Sequence, residues 1–145
     1  MGRGGILSRK SLANALHCVP FTAAGLLVRT DLAGMGPGPD TFNGYEVSLQ
    51  YGRGAMLGAH WLPGSFQELA HVPLPGLPLG ASLELAVYVN ATSSAVSFTV
   101  SVGGAPVLQY IDTVYAARIN GTSVGLRSFY DDAEWEAFHV DLPAQ

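Results

Sequence analysis

From residue 21 onward the apolar side chains of this chain recur at every second position, in short stretches closed by Gly, Pro, Asn or Asp. A period of two sends successive side chains to opposite sides of an extended backbone, so each stretch predicts a strand with one apolar and one polar face. In residues 44–51, Tyr45, Val47, Leu49 and Tyr51 share one face and Glu46, Ser48 and Gln50 the other. Residues 96–102 repeat the pattern, with Val96, Phe98, Val100 and Val102 opposed to Ser97, Thr99 and Ser101. The next two residues, Gly103 and Gly104, can both adopt φ > 0, which predicts a tight hairpin into a strand at 106–112. Further strands are predicted at 24–30, 55–60, 66–72, 83–90, 123–129 and 135–142, making about nine. Short strands in that number, separated by turn signals, predict an all-β, two-sheet antiparallel β-sandwich.

Composition narrows the alternatives. The 145 residues suit one domain. With 48% hydrophobic and 12% charged residues, the chain has too much apolar surface and too little charge for a disordered tail or a charged coiled coil. Its 18 glycines and 9 prolines, spread along the length, exclude an all-helical fold. We divide the chain into an N-terminal segment, residues 1–14, and a β-sandwich domain, residues 15–145. The first segment reads equally as a short helix, a replacement for an edge strand, or disorder. Residues 33–43 and 73–80 are Gly- and Pro-rich connections, and no internal repeat suggests a propeller or solenoid.

The formal charge is −4, and because Arg3, Arg9 and Lys10 lie at one end, residues 11–145 hold 4 basic against 11 acidic side chains. Such a surface repels phosphate backbones, so nucleic acid is not expected as a partner. No run of 18 apolar residues could span a membrane. The basic start leads into apolar residues, but Asn14, His17 and Pro20 interrupt the continuous core of a signal peptide. Asn90-Ala91-Thr92 and Asn120-Gly121-Thr122 fit the N-glycosylation acceptor pattern, and on them rests the expectation of an extracellular or secretory-pathway location. The single cysteine, Cys18, cannot form an internal disulfide and reads as a free thiol.

Arg29, Glu46 and Arg127 stand out because they are charged residues inside strands of low charge, where each needs a partner or an exit to solvent. Parity predicts Arg29 and Glu46 on neighbouring strands, paired on one polar face. With Gln50 and Arg127, that face would offer guanidinium forks, a carboxylate and an amide to vicinal sugar hydroxyls. Trp61, Tyr110 and Trp135, near turns, are the candidates for stacking on a sugar ring, as are Tyr115 and Tyr130. No second carboxylate follows Glu46 along its own face, so the pair needed for glycoside hydrolysis is not legible and no catalytic residue is assigned. His17, His60, His71 and His139 form no ligand-type spacing, so no metal site is assigned. The acidic residues Asp131, Asp132 and Glu134, and Asp31 and Asp40 elsewhere, suit solvated turns or one calcium ion.

Several segments taken in order, Ala24–Arg29, Gly44–Val47, Leu83–Thr113, Gly125–Ser128 and Trp135–Val140, resemble the concanavalin A-like lectin/glucanase jelly roll. Laminin G-like modules, the sandwich domain of fructan-hydrolysing glycosidases and the 3-keto-disaccharide hydrolases share this architecture. The resemblance covers roughly residues 15–142. It implies one or two further strands before Ala24, where this chain has only 23 residues, so a first strand is expected to be missing or the chain to be a fragment. The E-x-D-x-E strand of laminarinase-type glucanases is absent from the sequence. What the resemblance implies is a non-catalytic carbohydrate-binding module associated with glycoside-processing proteins, with further domains of a larger protein as partners. It permits a structural calcium and no other cofactor. The alternatives are a hydrolase or lyase acting on a modified disaccharide, and a protein-binding module of laminin G type.

Overall fold

The computed structural model describes residues 3–12, 23–31, 42–50, 52–61, 65–77, 82–129 and 133–141. They form ten strands, β1 (Arg3–Leu12), β2 (Ala23–Asp31), β3 (Asn43–Gln50), β4 (Gly54–Trp61), β5 (Ser65–Val72), β6 (Ser82–Ala91), β7 (Val96–Val102), β8 (Ala105–Asp112), β9 (Ser123–Phe129) and β10 (Ala133–Asp141), and no helix among the described residues. Two five-stranded sheets result, ordered β10-β1-β6-β7-β8 and β5-β4-β3-β2-β9, and every neighbouring strand pair in them is antiparallel. The fold is the all-β two-sheet sandwich that the period of two predicts.

Alternation decides what lies between the sheets. From β7, Val96, Phe98 and Val100 enter the core, and from the facing sheet Tyr45, Val47, Leu49, Leu26, Leu57 and Ala59 meet them, all at 2% exposure or less. Tyr45 and Phe98 touch edge to face across the sandwich, with ring centroids 4.8 Å apart. At one edge β5 lies close to β8.

Residues 3–12 settle as a strand, and an interior one. β1 runs between β6 and β10, pairing Ile6 with both Val87 and Val140. One strand, β1, thus precedes β2, where the resemblance implies one or two. Ladders to β6 on one side and β10 on the other satisfy its backbone groups, which decides for a strand among the three readings the local sequence leaves open.

The Gly103-Gly104 hairpin forms as predicted, with φ of 61° and 83°, and the Gly103 amide donates to the Glu84 carbonyl at 2.8 Å. A Cβ on Gly104 would meet nothing within 4 Å, so backbone strain alone opposes substitution. Gly104→Ala is expected to cost about 1–2 kcal/mol, read as a lower urea midpoint at unchanged slope.

Candidate functional site

The outer face of the second sheet is not the solvated polar surface that alternation suggests. Glu46, Ser48, Met56 and His60 point away from the core yet are 5%, 0%, 3% and 2% exposed. β3 and β4 are thus covered on both sides, and the cover includes long side chains from neighbouring elements. Arg127 reaches over from β9, Phe66 leans in from β5, and Phe42, just before β3, folds across the top.

Register explains how these groups meet. Glu46 is opposite Leu27 on β2 and Gly58 on β4, while His60 is opposite Gly44 on β3 and Phe66 on β5. Glu46 and His60 are therefore diagonal neighbours on one face, and the glycine opposite each leaves room for the other. His60 Nε2 lies 2.8 Å from Glu46 Oε2. Arg127, opposite Gly25 on β2, donates from a terminal guanidinium nitrogen to the same oxygen at 2.7 Å. Its guanidinium carbon stands 5.6 Å from the centroid of Phe42. The imidazole of His60 touches two rings, Phe42 at 4.3 Å and Phe66 at 4.8 Å between centroids.

Gly58 controls the surface beside this network. A Cβ there would fall 2.3 Å from the Phe66 ring and 3.2 Å from the Met56 sulfur, so both side chains rest over the bare glycine backbone. Phe66 nevertheless keeps 45% of its surface exposed. On its far side β5 carries Glu68, which forms a 3.6 Å ion pair with Arg53, and His71, whose Nε2 lies 2.6 Å from the Arg53 carbonyl oxygen. The arrangement is a half-exposed aromatic ring with a buried Arg–Glu–His network on one side and an exposed polar rim on the other.

Of the residues singled out in the sequence, Glu46 and Arg127 are brought together and the others are not. Arg29 lies on the strand next to Glu46, as expected, but it does not pair with it. The β2 ladder shifts register between Val28 and Asp31, with Arg29 at φ 52°, and its Nε donates to the Ile119 carbonyl at 3.2 Å. This irregularity redirects the side chain that strict alternation would have set beside Glu46. Gln50, at the far end of β3 opposite Gly54, has its Oε1 buried without a partner. Trp61 stacks on Tyr115 at 4.6 Å and packs against the core, so one ring face is already occupied. Tyr110 belongs to the other sheet, opposite Phe98, and packs against the core. Trp135 is on β10, in register with Lys10, and its side chain falls outside the described residues, as do Tyr130, Asp131 and Asp132. No group of three or more metal-ligating side chains occurs among the described residues.

In the sequence His60 stands out only as one of four scattered histidines, and Phe42 and Phe66 carry no signal of a site. A lone histidine without a helical-spacing partner gave no signal, because its neighbours are set by strand register. The signal that existed was parity: His60 lies on the same side of its strand as Met56 and Gly58.

The two antiparallel sheets make a β-sandwich of the jelly-roll type, with the Glu46–His60–Arg127 network buried on the outer face of one of them. Sheep galectin-11, solved in complex with glycerol, is similar over 95% of this chain and 89% of its own, with a TM-score of 0.63 and 12% identity. The likeness concerns the fold, and galectins share the concanavalin A-like jelly roll that the sequence segments resemble. No protein-family model matches the chain, and no curated protein does.

Proposed function

We propose that this chain is a non-catalytic carbohydrate-binding module, and that its ligand lies over Phe66 on the outer face of the second sheet. The observation that carries this reading is the half-exposed Phe66 ring set against the Glu46–His60–Arg127 network. A sugar offers an apolar C–H face and a girdle of hydroxyls, which call for an aromatic ring beside fixed charged acceptors and donors. Both bonds that hold Glu46 end on Oε2. The other carboxylate oxygen would then accept from a hydroxyl, with Glu68 and Arg53 addressing hydroxyls at the rim. Holding Glu46 between an arginine and a histidine fixes its geometry before the ligand arrives, which lowers the ordering cost of binding. The lectin-like fold adds support.

One observation favours a hydrolase instead. Glu46 and Glu68 both face Gly58 in register, from strands on either side of it. Two strand spacings set their backbones about 9–10 Å apart, a scale comparable to the roughly 6.5–9.5 Å between the two carboxyl groups of inverting glycosidases. Against it, the Phe66 ring fills the gap over Gly58 where a water and a scissile bond would have to stand.

Titrating the chain with a panel of oligosaccharides by NMR is expected to give dissociation constants around the millimolar range, corresponding to ~4 kcal/mol. Phe66→Ala should abolish binding while the chain stays folded, as circular dichroism verifies, since the ring is 45% exposed and lies outside the core. Absence of binding to every glycan, or binding indifferent to Phe66→Ala, would overturn the reading. New reducing ends that disappear in Glu46→Gln would establish the hydrolase.

A further inference from the structure

The two glycosylation acceptor patterns occupy different environments, and we propose that Asn120, and not Asn90, accepts an N-linked oligosaccharide on the folded protein. Asn90 lies within β6, its backbone paired on one side with Arg3 and on the other with Ser97. Ser97 Oγ donates to the Asn90 carbonyl at 3.3 Å, and the Asn90 side-chain oxygen is buried. The hydroxyl that completes this acceptor is engaged as well. Thr92 Oγ1 donates to the Ala95 carbonyl at 3.2 Å and accepts from the Ser94 and Ala95 amides at 3.4 and 3.1 Å. Presenting Asn90 to an enzyme cleft would mean opening two ladders and a turn.

Asn120 needs no such opening. It lies in an irregular segment between β8 and β9, and both it and Thr122 are exposed. The segment is pinned on each side of it. Ile119 is fully buried, its amide donates to the Tyr115 carbonyl at 2.9 Å, and its carbonyl accepts from Arg29 Nε. Gly121 presses against the Thr30 backbone so closely that a Cβ would come within 2.2 Å of it. With its neighbours anchored inward, Asn120 stays exposed, as does Thr122, whose hydroxyl completes the acceptor pattern. The tight fit at Gly121 also accounts for glycine at the middle position, where the pattern itself accepts almost any residue.

In the transfer, the Asn120 amide nitrogen attacks the anomeric carbon of a lipid-diphosphate-linked oligosaccharide. The C–N bond forms as the bond from that carbon to the diphosphate oxygen breaks, one amide proton passes to water, and the lipid diphosphate departs with the bonding electron pair. No oxidant or reductant takes part.

The folded full chain, incubated with a purified oligosaccharyltransferase and a lipid-linked oligosaccharide donor, tests this by intact mass. One glycan increment is expected, removed by peptide-N-glycosidase, lost completely in Asn120→Gln and in Thr122→Ala, and retained in Asn90→Gln. Circular dichroism of each variant verifies the fold. No increment on the wild-type chain, or an increment that survives Asn120→Gln, would overturn the proposal.

Discussion

Phe98→Ala is expected to destabilise the fold by about 3–5 kcal/mol, lowering Tm by about 6–20 °C. Phe98 is 2% exposed, near the middle of β7, with Val89 and Tyr110 opposite it in the same sheet. Truncation removes the apolar burial of the ring and leaves a cavity that two hydrogen-bonded sheets cannot easily close. It also removes the edge-to-face contact with Tyr45, which belongs to the other sheet. Chemical denaturation reads the change directly. A loss within 1 kcal/mol would mean that Phe98 is not a core residue. Since a domain of this size is stable by roughly 5–15 kcal/mol, the substitution should take a large share of the total.

How legible this position was depends on the kind of order involved. β7 could be read from sequence because Val96, Phe98 and Val100 alternate with Ser97, Thr99 and Ser101, and nothing interrupts the period. The strands of the second sheet were placed equally well, since Gly and Pro mark their ends. β1 was only one of three readings, because LSRKSLANAL carries helix formers at suitable spacing, and residues 3–12 become a strand where β6 and β10 offer them partners. At the candidate site, Glu46 and Arg127 could be found individually as charges in apolar strands, but their pairing could not. Which arginine meets Glu46 depends on a bulge at Arg29, and a one-residue irregularity leaves no trace in a period-two pattern. His60 and Phe66 reach the site through cross-strand register, a relation that for Glu46 and His60 joins positions 14 residues apart and that spacing within either segment does not encode, and Phe42 joins them from the bend before β3.

A second large effect is expected at Asp112, which ends β8 and is 1% exposed. Its carboxylate accepts the Tyr45 hydroxyl at 2.6 Å, the Val114 amide at 2.9 Å and the Tyr115 amide at 3.2 Å. One side chain thus ties β3 of the second sheet to β8 of the first and folds the chain after β8 toward the buried Ile119. Asp112→Ala strands the buried Tyr45 hydroxyl and removes the acceptor of two part-buried amides, and should cost about 3–5 kcal/mol. Asp112→Asn keeps an acceptor for the amides and can donate to the Tyr45 oxygen, so it should cost less, about 1–2 kcal/mol. The same bond predicts an alkaline response. Burial, then the hydrogen bond to Asp112, holds the Tyr45 hydroxyl well above its ordinary value of 10.0. The folded chain keeps that proton while the unfolded chain releases it as pH rises past about 10. Stability from this group is therefore complete below pH ~10 and falls above it, by up to about 1.4 kcal/mol per pH unit for one proton. Tyr45→Phe has no such proton to release, and its stability should fall less steeply between pH 10 and 11 than that of the wild type. Equal slopes in the two proteins would show that Tyr45 ionises as freely in the fold as out of it, contrary to a buried bond to Asp112.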